Sequence, residues 1–183
     1  MLPIEIRRAD TPRERSVFVK MAWQFYRDDP HWVPPLIGDQ LQFIDPAKGV
    51  FFEHGEVALF LAYRGTHPVG RISAQVNQRY DTYFQDGKGF VGFFECEDDT
   101  ETATALFAAA AAWLRGKGRR VMEGPMSFGV YDETGILVQG FATDPYVMTG
   151  HNPPYYQRLF EETGWQKSID WYAFRGLADV FRK

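Results

Sequence analysis

The 183-residue sequence lacks the features that mark several large classes of protein. It has one cysteine, Cys96, which excludes disulfides within the chain and favours a reducing compartment. No apolar stretch approaches the roughly 20 residues that a membrane-spanning helix needs, and no apolar run follows Met1 as it would in a signal peptide. The net charge of −4 offers no positive field for nucleic acid or anionic lipid. These absences predict a cytoplasmic protein with neither nucleic acid nor membrane as partner.

Common catalytic and cofactor motifs are missing as well. The four histidines lie far apart without the spacing of metal ligands, so no metal site is predicted. No glycine-rich nucleotide-binding signature occurs. Ser127 lacks the upstream glycine of a hydrolase nucleophile elbow, and the carboxylates around Cys96 raise a thiol pKa. The sequence therefore gives no support for a nucleophilic serine or cysteine.

The composition instead favours a large core, a ligand pocket, or both. Hydrophobic residues make up 45% of the chain and aromatic residues 16%. A chain of this length buries about 70% of the surface that it exposes when unfolded, which is enough for a stable core. No repeat, linker or low-complexity tract interrupts residues 1–183. We therefore expect one α/β domain with a mixed sheet.

Hydrophobic periodicity and capping residues predict the order of elements. Thr11, Pro12 and Glu14 form a strong helix start with a capping box, and Asp98 with Glu101 offers a similar start for an alanine-rich helix. Residues 80–88 and 125–152 are predicted to be loops, the second with a short strand at 135–138. The predicted strands are 2–7, 57–63, 68–77, 89–95, 120–124 and 169–174, and further helices are predicted near 36–45 and 154–163.

This order of strands and helices resembles the GNAT acyl-CoA N-acyltransferase fold. The resemblance is carried by Pro68–Ile72, by Gly92–Glu95 leading into the alanine-rich helix, and by the closing stretch Asn152–Trp165. More narrowly, the chain is similar to a bacterial YghO-like group of GNAT-like proteins, whose members are about twice this long. That likeness lies in residues 29–35, 124–128, 132–141 and 152–156. The chain then corresponds to the first half of a longer architecture.

The resemblance implies transfer of an acyl group, such as acetyl, from acyl-CoA to an amine of a small molecule. In this fold the strand before the alanine-rich helix splays from its neighbour, and acyl-CoA lies in the gap. The implied cofactor-binding residues are Phe93, Phe94, Asp99, Thr100, Asn152 and Tyr155. The candidate catalytic residues are Glu95, Glu133 and Tyr156, and the candidate substrate-binding residues are Arg71 and Tyr131.

Individual candidates keep alternative interpretations. Glu95 at a strand end could be a general base or a solvated carboxylate, and Glu133 lies in a long loop of the kind that often carries sites. Arg71 could bind a substrate carboxylate, or it could pair with Glu95 or Glu133. Tyr155 and Tyr156 could act in the cleft or simply pack. A homodimer is also possible.

Two departures from the GNAT pattern favour a second interpretation. The loop Glu95–Glu101, where the fold usually binds pyrophosphate, has no glycine and is mostly acidic. Phe160 occupies the place where the fold often has a tyrosine that protonates the departing thiolate. Carboxylates repel a pyrophosphate, and phenylalanine cannot donate a proton. The alternative is therefore a catalytically degenerate GNAT-like domain that binds a small ligand or a protein partner.

Overall fold

The fold is described for residues 2–147, 149–174 and 176 in a computed structural model. These residues contain five strands, six α-helices and one 3-10 turn, Val50–Glu53. The strands are β1 Ile4–Arg8, β2 Gly55–Arg64, β3 His67–Asn77, β4 Lys88–Cys96 and β5 Val121–Glu123. The helices are α1 Pro12–Lys20, α2 Ala22–Phe25, α3 Ile37–Phe43, α4 Gln78–Phe84, α5 Thr100–Gly116 and α6 Tyr156–Glu162.

The strands form one mixed sheet in the order β1-β2-β3-β4-β5. The first four pair antiparallel, and β5 pairs parallel to β4. Alternate residues of a strand face opposite sides, so Phe60 packs into the core under α5 and α6, while Leu59 and Leu61 pack with α1 and α3. Helices therefore cover both faces of the sheet, and the predicted α/β class is confirmed.

Local capping explains where the two main helices begin. The side chain of Thr11 accepts a hydrogen bond from Glu14 N, and Glu14 accepts one from Thr11 N, which confirms the predicted capping box. Helix α5 is capped by Asp99 rather than Asp98, because Asp99 accepts the hydrogen bond from Thr102 N. No helix in the described part of the chain is long and apolar enough to cross a bilayer.

Strands β4 and β5 part after a short stretch of pairing. Their ladder includes only Lys88, Gly89 and Phe90 on the β4 side, and it ends at Glu123 on the β5 side. Further along β4, the register with β3 shifts so that an extra residue bulges from the strand, and Phe93 adopts a φ of 49°. The rest of β4 therefore faces the loop after β5, as the GNAT resemblance implies.

Three predicted elements need correction. Residues 80–84 are helical rather than loop, because the side chain of Asn77 accepts from two following amides and starts α4. Residues 135–138 form no strand, because the backbone N–H and C=O of Leu137 both hydrogen-bond to the side chain of Asn152. Residues 169–174 are irregular, and Trp171 and Phe174 are largely exposed. Strand propensity alone does not supply the neighbouring strand that a ladder requires.

The close approach between β4 and the loop after β5 can be tested at Gly92. A Cβ on Gly92 would collide with the carbonyl oxygen of Met126, a backbone atom that cannot rotate away. We expect Gly92→Ala to lower the free energy of unfolding by about 1–3 kcal/mol in urea titrations. Gly116→Ala is the control, because a Cβ there meets nothing within 4 Å, and it should change stability by less than about 1 kcal/mol. Equal effects would contradict the close approach.

Candidate active site

A buried carboxylate lies at the end of β4, where the strand leaves β5. Glu95 Oε2 accepts hydrogen bonds from the hydroxyls of Tyr26 at 2.9 Å and Tyr156 at 2.6 Å. Its other oxygen, Oε1, lies 3.3 Å from Nη2 of Arg71. Three donors from α6, β3 and the end of α2 therefore converge on one carboxylate, which favours an acceptor role for Glu95.

Arg71 balances this charge and joins the sheet to helix α1. It lies opposite Glu95 in the ladder between β3 and β4, and both side chains are 10% exposed. Arg71 Nη1 donates to the backbone carbonyl of Phe18 at 2.6 Å, and the guanidinium lies 5.0 Å from the centre of the Phe18 ring. Of the alternatives left open for Arg71, the structure shows the ion pair with Glu95.

The environment shifts the pKa of every acid in this network. Burial raises the pKa of Glu95, although Arg71 and the two tyrosine hydroxyls oppose that effect. Burial and the neighbouring Glu95 charge raise the pKa of Tyr156 and Tyr26 well above 10.0. Both hydroxyls therefore keep their protons at physiological pH and remain donors. Tyr156 also accepts a hydrogen bond from Cys96 N at 3.0 Å.

A small cavity opens beside the carboxylate network, between β4 and the loop after β5. Its volume is about 40 Å³, room for a water molecule or two. It brings together six residues that the sequence singled out: Phe93, Phe94, Glu95, Glu133, Asn152 and Tyr156. The other lining residues include Tyr26, Ser127 and His151, which sequence reasoning did not select.

Glu133 lines the cavity from the loop after β5. Although much of the residue is exposed, desolvation where it enters the cleft raises the pKa of its carboxyl, and the charge of Arg71 opposes that rise. The charge of Glu133 in turn raises the pKa of Glu95. The cleft thus contains two carboxyl groups that repel each other, and the charge of Arg71, which is paired with Glu95, opposes the rise in the pKa of both.

The remaining wall residues are held by packing and by the backbone. Phe94 stacks on Phe107 at 4.9 Å and meets Tyr156 edge-on, whereas Phe93 packs against Phe18 on the other face of the sheet. Asn152 Oδ1 accepts from Leu137 N at 2.5 Å, and its Nδ2 donates to Leu137 O at 3.2 Å. Asn152 therefore braces the loop that forms one wall of the cavity.

The start of α5 is crowded with its own side chains. Asp99 Oδ2 accepts from the amide of Thr102 at 2.9 Å and from Nη2 of Arg64 at 2.9 Å. Thr100 donates its hydroxyl to Glu162 at 2.7 Å. Tyr155 donates its hydroxyl to the carbonyl of Cys96 at 2.7 Å. The predicted cofactor-binding residues Asp99, Thr100 and Tyr155 therefore make internal contacts at this helix start.

The acidic loop before α5 is partly neutralised. Arg64 pairs with Glu97 as well as Asp99, and Arg158 pairs with Asp98. Burial and the nearby carboxylates raise the pKa of the Cys96 thiol, as expected for a sulfur that is not a nucleophile. Tyr131, the last sequence candidate, is 81% exposed and does not line the cavity.

Sequence reasoning missed the residues that complete the site from the N-terminal third of the chain. Tyr26 stacks on Trp32 at 4.9 Å, and Asp29 pairs with His151 at 2.7 Å. Two signals were available: residues 29–35 carry part of the YghO-like resemblance, and His151 directly precedes Asn152, where another part begins. Neither signal indicates that these segments meet across the cleft.

Known proteins place this geometry in a wider context, although no protein-family model matches the sequence. A protein named bacterial ceramide synthase, from Caulobacter vibrioides (strain NA1000 / CB15N), is 39% identical over 167 residues, which are 90% of this chain and 43% of that protein. Protein YghO of Escherichia coli (strain K12) is 33% identical over 159 residues, 87% of this chain and 40% of that protein. The chain thus spans less than half the length of these relatives.

A solved structure shares the fold with little sequence identity. It is a crystal structure of a predicted acetyltransferase from Clostridium acetobutylicum with acetyl-CoA, which has a TM-score of 0.59 and 10% identity and covers 94% of this chain and 96% of that one. The chain has the fold of the GNAT acetyltransferases, and its predicted resemblance to the YghO-like group is confirmed.

The raised pKa of Glu95 makes stability depend on pH in a specific direction. Folding raises this pKa above its ordinary value of 4.5, so the folded state binds the proton more tightly than the unfolded state. The resulting stability is fully present below 4.5 and is lost as pH rises through the folded-state pKa. Over that window, the free energy of unfolding of wild type should fall relative to Glu95→Gln by up to about 1.4 kcal/mol per pH unit.

Urea unfolding of both proteins at a series of pH values measures this difference. Glu161→Gln, at an exposed position on α6, is the matched control and should follow wild type at every pH. Parallel curves for wild type and Glu95→Gln would contradict the assignment of a raised pKa to this carboxyl.

Proposed function

We propose that this chain is an N-acyltransferase domain that moves an acyl group from acyl-CoA to the amine of a small molecule. One observation carries the proposal. Where β4 parts from β5, a cavity brings Glu133 beside the buried Glu95 and the protonated hydroxyls of Tyr26 and Tyr156. Acyl transfer from a thioester to an ammonium group produces a thiol and releases a proton. A cleft with fixed proton donors and a partly desolvated carboxylate suits such a reaction.

The acceptor is proposed to be a long-chain amino alcohol. The Caulobacter relative is named a ceramide synthase, and a ceramide is the amide of a fatty acid with such an amino alcohol, so its synthesis is an N-acylation. Apolar side chains are exposed in the same segment as the cleft, including Val130, Val138 and Val147, and they would suit an alkyl chain. This chain spans 43% of the length of that relative, so we also propose, and do not take from the relative's name, that this part of the sequence carries the N-acylation activity.

The proposed chemistry uses the cleft residues in distinct roles. Glu133 attracts the ammonium group of the acceptor to the mouth of the cavity. After the ammonium has lost one proton to water, the amine nitrogen attacks the thioester carbon and gives a second proton to a base in the cleft. The carbon–sulfur bond breaks, and the thiolate takes a proton from Tyr156. Glu95 holds Tyr156 in place by accepting its hydrogen bond, and Tyr156 recovers its proton from water. Arg71 keeps Glu95 from carrying an uncompensated charge.

Donor binding would require rearrangement at the start of α5. The Asp99 side chain lies on the helix amides that a pyrophosphate would otherwise approach. Arg64 and Arg158 are cations beside this helix start, and both are paired with carboxylates. Arg158, with a side chain 46% exposed, is the more accessible of the two and could turn from Asp98 towards a phosphate. The adenosine-diphosphate end of CoA is thus the part whose binding requires these contacts to change.

The crowded helix start also favours the second candidate function. If Asp99 and Tyr155 keep their contacts, the chain is a degenerate GNAT-like domain that binds a small ligand or a protein partner without transfer. Donor binding and turnover separate the two functions.

Donor binding can be measured by thermal unfolding. A ligand at a hundredfold excess over its Kd stabilises the folded state by about 2.7 kcal/mol. For a domain of this size, that corresponds to a rise in Tm of about 5–10 °C. We expect such a rise with acetyl-CoA or palmitoyl-CoA, and a smaller one with free pantetheine. The absence of a shift at millimolar donor would support the degenerate domain.

Turnover is tested with palmitoyl-CoA and sphinganine, by following free thiol and by detecting the amide with mass spectrometry. Glu133→Gln removes the charge that attracts the ammonium group, so kcat/KM for the amine should fall by about 10- to 100-fold, chiefly through KM. Glu161→Gln should behave as wild type. If wild type forms no amide with sphinganine or with shorter amines, the proposed function is wrong.

A further inference from the structure

A histidine and an aspartate from distant parts of the chain form a second pair at the cavity, in which the histidine side chain is buried and the aspartate side chain is 30% exposed. His151 Nε2 lies 2.7 Å from Asp29 Oδ2, and the His151 side chain is 5% exposed. Asp29 is itself held by the amide of His31, which donates to its Oδ1 at 2.9 Å. Burial opposes ionisation of Asp29, but the hydrogen bonds from His151 and His31 outweigh it and lower the pKa of Asp29.

This contact decides which ring nitrogen carries the proton. An ionised carboxylate only accepts hydrogen bonds, so Nε2 must donate, and neutral His151 keeps a lone pair on Nδ1. That Nδ1 is buried and has no hydrogen-bond partner within the described residues. A buried polar atom without a hydrogen-bond partner destabilises the folded state, unless a ligand or water forms the missing hydrogen bond. Because His151 lines the cavity, the cavity is where such a partner can arrive.

We infer that His151 is the general base that deprotonates the acceptor amine, and that Asp29 is the residue that positions it. The inference rests on the proposed function and names a catalytic residue for that reaction. As the amine nitrogen bonds to the thioester carbon and the carbon–sulfur bond breaks, a proton passes from nitrogen to His151 Nδ1. The leaving thiolate takes its proton from Tyr156, and the imidazolium later releases its proton to water. Asp29 stabilises the transient imidazolium.

The other acids of the cleft suit this role less well. Glu95 already accepts from Tyr26, Tyr156 and Arg71, so an amine would have to displace a donor to reach it. Glu133 is more exposed, and its carboxylate is better placed to attract a cation than to accept a buried proton. An imidazole changes charge nearest to neutral pH, which suits a base that must pick up and release a proton in each cycle.

The pair has a matched control in the same part of the chain. His31 Nδ1 lies 2.8 Å from Asp144, but the side chains are 32% and 80% exposed, and neither residue lines the cavity. The charged or titratable groups that face His151 are Asp29 and, across the cavity, Tyr26, Glu95, Glu133 and Tyr156. Because all of these groups remain in His151→Gln, a difference between the pH dependence of kcat/KM in this variant and in wild type is attributed to His151.

The first experiment compares His151→Gln and Asp29→Asn with wild type in the palmitoyl-CoA and sphinganine assay. His151→Gln removes the base, so kcat should fall at least about 100-fold with KM within threefold. Asp29→Asn donates to Nε2 through its amide, moves the ring proton to Nδ1 and should give a similar loss. Asp29→Glu should recover at least tenfold of that loss, and His31→Gln should match wild type. We expect kcat/KM of wild type to rise with pH over part of the range, and this rise should disappear in His151→Gln.

A second experiment reads the ring directly and needs no turnover. In protein labelled with ¹⁵N-histidine, the NMR signals of His151 should report a proton on Nε2 in wild type and on Nδ1 in Asp29→Asn. Thermal unfolding of each variant establishes that it is folded. A wild-type proton on Nδ1 would overturn the inference.

The kinetic outcomes separate the two proposals. If wild type transfers the acyl group and His151→Gln keeps kcat within threefold, His151 is not the base, although the proposed function stands. If kcat falls but Asp29→Glu recovers nothing and the pH profile keeps its shape, the pair is merely structural. If folded wild type transfers nothing, both the proposed function and the catalytic role of His151 are wrong.

Discussion

The ion pair between Arg71 and Glu95 is the constraint on which the rest of the site depends. The two residues face each other across β3 and β4 with 10% of each side chain exposed, so neither charge is stabilised by water. Removing one partner from such a buried pair usually costs about 3–5 kcal/mol, because the other charge remains uncompensated. The pair therefore requires Tyr26 and Tyr156 as further donors, and it draws α1, α2 and α6 to the same point of the sheet.

The sheet makes room for chemistry at this point by ending one ladder early. Strand β5 pairs with β4 only as far as Phe90, and the bulge at Phe93 turns the next side chains of β4 in new directions. The loop after β5 then forms the far wall of the cavity and is braced by Asn152. A parted pair of strands thus gives this chain a cavity that is lined by residues of β4 and of the loop after β5.

The acidic start of α5 repels a phosphate less than its sequence suggests, but its backbone amides are not free to bind one. Arg64 and Arg158 pair with the carboxylates, which reduces the repulsion, while Asp99 covers the helix amides. These contacts are compatible with both candidate functions. Acyl-CoA can displace them in an acyltransferase, or they can persist in a degenerate domain that binds no acyl-CoA. The fold is that of the GNAT acetyltransferases, but the helix start is built differently from the pattern that the fold implies.

Much of this architecture was determined by the sequence alone, because its causes are local. Periodicity predicts β2, β3, β4 and the buried face of α5, and the Thr11 capping box predicts where α1 begins. The sequence singled out Glu95 at a strand end and Glu133 in a long loop, the GNAT resemblance added Tyr156, and all three line one cavity. Only the tertiary structure decided which partners they meet. Asp29 and His151 are 122 residues apart, and no local pattern encodes a hydrogen bond between them. That contact exists because the sheet, the bulge and two loops together bring the buried His151 ring against the part-exposed Asp29 carboxylate.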